Sequence, residues 1–203
     1  ATAGYLGGRW DNLLMRTVDM LYSLPSIIFV IVIITTLEEV LQGWLQAAIG
    51  GDGGETARML LLYAGLGAVS WLTMARIVRG QVLALRERQF VEAARSLGLG
   101  TRAILWRHIL PNVFGVVIVY LTLTLPAVVL YESFLSYLGL GIQPPRASLG
   151  SLIAEGAAQI NPIRVYWWMI AFPAGCLAAF LMALNFLGDG LRDVFDPKAD
   201  KDC

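Results

Sequence analysis

The stretch 109–131, ILPNVFGVVIVYLTLTLPAVVLY, contains 23 residues and no Asp, Glu, Lys, Arg or His. A helix of this length is about 34 Å long at about 1.5 Å per residue, and the hydrocarbon core of a bilayer is about 30 Å thick. Its apolar residues cover every side of such a helix, which leaves no polar face for water. The stretch therefore predicts a membrane-spanning helix.

Three further uncharged blocks, 20–37, 59–75 and 165–188, are 18, 17 and 24 residues long. Hydrophobic residues make up 57% of the chain and charged residues only 15%, against about 25% charged in soluble domains. Buried helices of a soluble protein, or a buried strand at 27–34, would be alternatives for a single block. Four such blocks together favour an all-α, polytopic membrane protein with about four transmembrane helices.

The basic residues predict the orientation of these spans, because cytoplasmic loops are rich in Lys and Arg. If residues 76–107 are cytoplasmic, 12 of the 15 basic residues lie on the cytoplasmic side. The C-terminus then faces the cytoplasm. The cytoplasmic set is Arg9, Arg16, Arg76, Arg79, Arg86, Arg88, Arg95, Arg102, Arg107, Arg192, Lys198 and Lys201, and the external set is Arg58, Arg146 and Arg164.

Two segments would then be external. Residues 38–58 contain a glycine-rich turn at 50–54, after apolar residues at helical spacing over 41–48 that predict an interfacial helix. Residues 132–164 are largely uncharged and rich in Gly and Pro. A loop that apolar is expected to fold against the membrane domain.

The cytoplasmic segment between the second and third blocks predicts two short helices that meet at a glycine corner. Residues 81–97 have one apolar face, and Gly98-Leu99-Gly100 ends that helix. Thr101 is expected to cap a second helix over 102–110, ahead of Pro111. A compact knob between two spans can transmit a push to both. The predicted apolar face consists of Leu83, Phe90, Val91, Ala94 and Leu97.

The same segment resembles the EAA loop of bacterial ABC importer permeases. Glu92-Ala93-Ala94, Gly98 and Leu110-Pro111 stand at that loop's spacing, although His108 replaces its usual apolar residue. The variant at 107–112 resembles the dipeptide and oligopeptide branch. Segments 3–8, 15–19, 132–145 and 185–193 also resemble that branch, so the likeness covers nearly the whole chain.

The resemblance implies the type I permease core of an ABC importer. Residues 1–203 would form a single transmembrane permease domain, with an L-shaped cytoplasmic coupling loop at 82–111. The chain has no initiator Met, and we expect it to be a fragment that lacks N-terminal membrane helices. By this resemblance the residues that dock in a groove of the ATPase are Glu92, Ala93, Ala94, Arg95, Gly98, Leu99 and Gly100.

The resemblance also implies the partners. We expect a second homologous permease, two cytoplasmic ATP-binding subunits that bind ATP and Mg, an extracytoplasmic solute-binding protein and the lipid of a bacterial inner membrane. No cofactor is expected on this chain. The cargo would be di- or oligopeptides, with nickel, glutathione and other small solutes as alternatives within the branch.

Charged residues at the edges of the blocks are weak candidates for the pathway. Asp19, Glu132 and Asp189 lie at such edges, where a solvated or hydrogen-bonded role is common. Glu132 follows the third span on the predicted external side, where substrate would enter. Glu132, together with Ser133 and Gln143 in the same resembling segment, is expected to contribute to the substrate pathway.

Other functions leave no comparable signature. The chain has no phosphate-binding G-x-x-x-x-G-K-[ST], and its lone His108 and two separated cysteines make neither a metal site nor a catalytic group. We therefore expect no catalysis by this chain itself. A DNA-binding module is disfavoured, because the positive-inside rule already explains the net charge of +3 over 86–107. An ATP-independent secondary transporter or channel remains the alternative, although the centres of the four blocks carry no charge.

Overall fold

The computed structural model describes residues 4–5, 7–49, 53–161 and 164–195. Within these ranges the regular secondary structure is helical apart from one short ribbon of two strands, and turns join the elements. The elements in chain order are α1 Gly8–Tyr22, α2 Ser26–Ile49, α3 Gly53–Arg86, α4 Gln89–Ser96, α5 Thr101–Ile104, a π turn Leu105–Ile109, α6 Leu110–Tyr137, α7 Leu149–Ala158, β1 Ile160–Asn161, β2 Arg164–Val165 and α8 Trp168–Phe195.

Four helices in the described part of the chain are long and apolar enough to cross a membrane. They are Ser26–Ala48, Thr56–Arg86, Thr101–Tyr137 and Trp168–Val194. Each of them exposes large apolar side chains, among them Val32, Trp71, Phe114 and Phe172. An exposed apolar surface of this kind suits lipid and not water. The prediction of an all-α, polytopic membrane protein with four spans is confirmed.

The first span begins later than the uncharged block predicts. Residues 20–22 belong to α1, and Pro25 separates that helix from α2. The residue before a proline is driven out of the α conformation, which explains the break within an apolar run. The predicted helix at 41–48 is the end of α2 itself. The predicted glycine turn at 50–54 lies partly at residues 50–52, which are outside the described residues.

The two helices predicted for the cytoplasmic segment have different bounds in the structure. The predicted helix over 81–97 is wrong, because α3 continues to Arg86 and α4 begins only at Gln89. The N-cap of α4 is Arg88, in an extended conformation without a side-chain hydrogen bond to cap the helix. Thr101 is the first residue of α5 and not its cap, a position that Gly100 occupies.

The second predicted helix does not stop before Pro111. A continuous helix runs from Thr101 to Tyr137, and a π turn precedes the proline. In that turn the Leu110 N–H donates to the Leu105 carbonyl oxygen, five residues back. Proline lacks an N–H and crowds the preceding turn, and a π turn accommodates both effects. The Asn112 side-chain amide also donates to the His108 carbonyl oxygen at 2.6 Å.

The chain divides into two compact units. Unit 1 comprises residues 1–24, 70–123 and 188–203, and unit 2 comprises residues 25–69 and 124–187. Each unit has a hydrophobic cluster of its own. In unit 1 the corner cluster consists of Tyr5, Val82, Val91, Ala94, Ile104, Leu105, Ile109 and Val113. In unit 2 the buried cluster consists of Val30, Ile34, Leu61, Leu62, Leu66 and Leu135.

In unit 2 the segment after α6 is folded. The side chain of Ser148 caps α7 by accepting from the Ser151 N–H at 3.1 Å, and the Ser148 N–H donates to Ser151 Oγ at 2.9 Å. Gly150 lies against the Ser133 carbonyl group of α6. The strands β1 and β2 pair antiparallel, with Ile160 opposite Val165. As the apolar composition of 132–164 predicts, this segment packs on its membrane helix.

Candidate coupling corner and pathway residues

The first candidate site is the corner in unit 1 that includes α4. Val91 and Ala94 are 0% and 4% exposed, and they hold α4 on the corner cluster. Glu92 and Ala93 lie on the exposed side of the same helix. The small side chain of Ala94 therefore serves packing within this chain, and Glu92 and Ala93 form the outer surface.

Two residues of the predicted apolar face point outward. Phe90 is 41% exposed and Leu97 is 81% exposed. The break at residues 87–88 turns α4 away from the path of α3, so a single helical periodicity does not hold across it. Leu97 is consequently an apolar side chain at the tip of the corner.

The corner after α4 is a Schellman turn at Gly98. The Leu99 N–H donates to the Ala94 carbonyl oxygen at 3.1 Å, and the Gly98 N–H donates to the Arg95 carbonyl oxygen at 2.9 Å. This pairing requires a left-handed residue, and Gly98 has φ 81°. Leu99 packs against the corner cluster, and Gly100 is exposed. We call residues 97–100 the open corner.

An ion pair links α1 to α3 near this corner. Arg79 Nη2 lies 2.6 Å from Asp11 Oδ2, and Arg79 Nε donates to Asp11 Oδ1 at 2.9 Å. The Asp11 side chain is only 6% exposed. Hydrogen bonds from Arg79 hold the pKa of the Asp11 carboxyl below its ordinary value, although burial alone raises it. A second pair joins Arg76 Nη2 to Asp19 Oδ1 at 2.7 Å.

Tyr5 and Asp11 also belong to this site, although no sequence pattern predicted a role for them. Tyr5 is 7% exposed within the corner cluster, and its hydroxyl accepts hydrogen bonds from Arg95. Arg95, expected to face an ATPase, thus turns its guanidinium toward its own chain. The segment 3–8 that contains Tyr5 was one signal, but its contacts join residues 90 positions apart.

The second set of candidates, the pathway residues, lies in unit 2. The Glu132 carboxylate accepts from the Ser136 hydroxyl at 2.7 Å and from the Ser133 hydroxyl at 3.3 Å. Ser136 Oγ in turn accepts from the Ile142 N–H at 3.0 Å. Ser133 is 4% exposed, so Glu132 and the two serines tie the end of α6 to the turn that follows it.

That turn repeats the backbone pattern of the open corner. The Leu140 N–H donates to the Leu135 carbonyl oxygen at 2.9 Å, and the Gly139 N–H donates to the Ser136 carbonyl oxygen at 3.0 Å. Gly139 has φ 77°. We call residues 138–142 the closed corner, because side chains and backbone of unit 2 pack around it.

Gln143 borders a cavity of about 260 Å³ in unit 2. Arg58 and Glu38 line it as an ion pair, with Arg58 Nη2 2.7 Å from Glu38 Oε1. The remaining lining residues are Gln42, Gly54, Met59, Gly141, Ile142 and Pro144. Of the three predicted pathway residues, only Gln143 borders this cavity.

Four apolar spans among the described residues define a polytopic helical membrane protein. A family model described as "binding-protein-dependent transport system inner membrane component" matches residues 1–201. The chain belongs to this family, which confirms the resemblance seen in the EAA-like loop.

Curated relatives support this placement. The chain is 45% identical to the oligopeptide transport system permease protein OppC of Escherichia coli K12 over 192 residues. This match covers 95% of this chain and 57% of that protein. It is 43% identical to the Haemophilus influenzae OppC and 41% identical to the dipeptide transport system permease protein DppC of Bacillus subtilis. These matches cover 98% and 97% of this chain, and 57% and 55% of the relatives. The chain thus spans just over half the length of the relatives it matches.

Proposed function

We propose that this chain is the pore-forming membrane subunit of an ATP-driven importer for dipeptides, oligopeptides or similar small solutes. The observation that carries the proposal is α4, the short helix before the open corner, on which Glu92 and Ala93 are exposed while buried Val91 and Ala94 fix it to the corner cluster. This arrangement gives a partner a surface to push against. The names of the relatives, oligopeptide and dipeptide permeases, support the choice of cargo.

The corner can pass such a push to two spans. The last residue of α3 is Arg86, three positions before the start of α4, and the helix from Thr101 to Tyr137 begins directly after the corner. Ile104 and Val82 pack with α4 in the corner cluster. Movement of α4 would therefore shift the ends of both spans and switch the pore between outward-open and inward-open states.

The energy source in this proposal is a pair of cytoplasmic subunits that bind ATP and Mg, and this chain is not catalytic by itself. A second homologous permease would complete the pore, and an extracytoplasmic solute-binding protein would deliver the cargo. The excess of Arg and Lys on the corner's side predicts that the corner and the C-terminus face the cytoplasm of a bacterium. Glu132, Ser133 and Gln143 would then lie at the external end of the pathway.

The direct test is charge reversal at the exposed face of α4. We expect Glu92→Arg, in the full-length subunit with all its partners, to weaken ATPase recruitment about tenfold. A basic group of the ATPase would lose the Glu92 carboxylate as its partner, and the new guanidinium would repel that group. The measurement is the affinity of the ATPase for the detergent-solubilised permease pair, followed by ATP-dependent uptake in proteoliposomes. We expect uptake to fall with recruitment.

Glu39→Arg is the matched control, because Glu39 is an exposed glutamate on α2, in the segment 38–58 that the sequence predicts to be external. We expect the Glu39 variant to recruit the ATPase normally. Wild-type recruitment and uptake with Glu92→Arg would contradict the coupling role. Ion-driven uptake by the permeases alone, without any ATPase, would instead support the alternative of a secondary transporter or channel.

A further inference from the structure

Tyr5 is a buried aromatic residue beneath α4. Its side chain belongs to the corner cluster together with Val91 and Ala94, the two residues that hold α4 down. It is 7% exposed. The face of α4 opposite to Glu92 and Ala93 therefore rests partly on Tyr5.

The hydroxyl of Tyr5 also binds a side chain of α4. Arg95 Nε and Nη2 both donate to Tyr5 Oη, at 3.3 and 3.2 Å. The Arg95 guanidinium carbon lies 5.3 Å from the centroid of the Tyr5 ring, within the range of a cation–π interaction. Two types of contact thus join the same pair of side chains.

The backbone around Tyr5 is fixed to α3. The Tyr5 carbonyl oxygen accepts from Arg86 Nη1 at 3.3 Å. A Cβ added at Gly4 would lie 3.3 Å from Arg79 Cγ, so the chain runs close along the end of α3 here. Tyr5 therefore contacts the helices on both sides of the break at residues 87–88.

Few other directional contacts fix the angle between α3 and α4 at this break. α4 has only eight residues and no side-chain cap at its start, and helices this short are not stable without tertiary contacts. Across the break, the Arg88 N–H donates to the Leu85 carbonyl oxygen at 3.1 Å. Burial of Val91 and Ala94 keeps α4 in place, but apolar contacts are not directional. The hydrogen bonds between Arg95 and Tyr5 supply a direction.

We propose that Tyr5 is a positioning residue that fixes the orientation of α4 relative to α3. It thereby determines how much of a movement of α4 is transmitted to the span formed by α3. The proposal rests on the coupling role of α4 given above. Loss of the hydroxyl should leave α4 docked but less well oriented. The ATPase would then still bind and hydrolyse ATP, and fewer solute molecules would cross for each ATP consumed.

The test is Tyr5→Phe in the full-length subunit, assembled with its permease partner, ATPases and solute-binding protein in proteoliposomes. We expect uptake per ATP hydrolysed to fall about two- to tenfold, the range expected for loss of hydrogen bonds to one hydroxyl. Tyr120→Phe is the matched control, because Tyr120 is a 38% exposed tyrosine on α6. Uptake per ATP is a ratio, so a variant that merely yields less folded protein does not change it.

A second readout follows the position of α4 itself. A spin label on Ala93→Cys, with Cys176 and Cys203 replaced by Ser, should become more mobile in Tyr5→Phe and not in Tyr120→Phe. Arg95→Lys should have a similar effect on uptake per ATP, and the double variant should be little worse than either single variant, because both remove the same contact.

Unchanged uptake per ATP and unchanged label mobility in Tyr5→Phe would overturn the positioning role. If Glu92→Arg still impairs ATPase recruitment in the same preparation, that result leaves the proposed function intact. If Glu92→Arg also behaves as wild type, the coupling role of α4 fails, and the inference about Tyr5 fails with it.

Discussion

The open corner and the closed corner share one backbone motif in two different environments. Both are Schellman turns, centred on Gly98 with φ 81° and on Gly139 with φ 77°. The leucines that precede the two glycines differ in exposure: Leu97 is 81% exposed and Leu138 is 48% exposed. The local sequence therefore determines the backbone geometry of the turn, whereas the surrounding packing determines how much of the turn is exposed.

The packing around the two corners explains this difference. A Cβ added at Gly98 would meet nothing within 4 Å. Beside the closed corner, a Cβ at Gly141 would collide with Ser136, and one at Gly150 would collide with the Ser133 carbonyl oxygen. Close backbone approach holds the closed corner, and side-chain contacts from Tyr5, Val91 and Ala94 hold α4 beside the open one. A Cβ at Gly139 itself would, like one at Gly98, meet nothing within 4 Å, so the two corners differ in the residues that follow each turn and not at the glycines.

The largest expected effect is where Gly150 of α7 packs on α6, in the segment that follows the closed corner. Gly150→Ala should lower the free energy of unfolding by about 3 kcal/mol, because the new methyl group overlaps backbone atoms that cannot rotate away. Thermal or SDS-induced unfolding in detergent micelles measures it. Gly175→Ala in α8 is the matched control, since nothing lies within 4 Å of that position, and it should not destabilise the protein. Equal stability of the two variants would show that α7 does not pack tightly on Ser133 of α6.

A smaller effect should follow from removing the ion pair that anchors α1 beside the open corner. Asp11→Asn should lower the free energy of unfolding by about 2 kcal/mol, through loss of charge-assisted hydrogen bonds to Arg79. The effect lies in the lower part of the range for hydrogen bonds to charged groups, because the Arg79 side chain is 33% exposed and water can solvate it.

The same ion pair predicts a pH dependence. Because the folded-state pKa of Asp11 lies below its ordinary value of 3.8, the unfolded state binds the proton first as pH falls. The stability contributed by the pair is complete above pH 3.8 and decreases below it. The difference in melting temperature between wild type and Asp11→Asn should be constant from neutral pH to about pH 5 and shrink under pH 3.8. A difference that grows with acidification would contradict the pair's role.

The smallest effect should be common to both corners. Gly98→Ala and Gly139→Ala should each cost about 1 kcal/mol, because a Cβ strains the left-handed conformation although neither meets a neighbour. Gly80→Ala, on the regular helix α3, is the control and should be neutral or stabilising. Unequal costs at the two corners would show that the motifs are less alike than their backbones suggest.

Much of the fold could be predicted from apolar runs, and the errors lie where chain breaks carry a weak signal. The four spans follow from uncharged blocks, but Pro25 cuts an apolar run that composition alone reads as continuous. The break at residues 87–88 has no Gly or Pro. Conversely, Pro111 predicts a helix end that the structure does not contain, because the π turn accommodates it.

In the candidate site, features with a local sequence signal could be predicted, and contacts between distant residues could not. Gly98 and the exposed face of Glu92 and Ala93 could be predicted, since a glycine pair after an amphipathic run is a local signal. The contact between Tyr5 and Arg95 could not, because it joins positions 90 residues apart and depends on tertiary packing. The inward orientation of Val91 and Ala94 agrees with the predicted apolar face, whereas the exposure of Phe90 and Leu97 from the same predicted face depends on the folded corner.

The π turn also determines which side of the long helix faces the corner cluster. Successive residues of an α-helix are rotated by about 100°, so Ile104 and Ile109 would lie about 140° apart in a regular helix. Both are nonetheless buried in one cluster with Val113. The additional residue in the π turn corrects the phase of the helix by about one residue's rotation. The angular setting of the third span about its own axis is therefore fixed by the number of residues in the π turn, which is followed by the 28 residues Leu110–Tyr137 of the same helix.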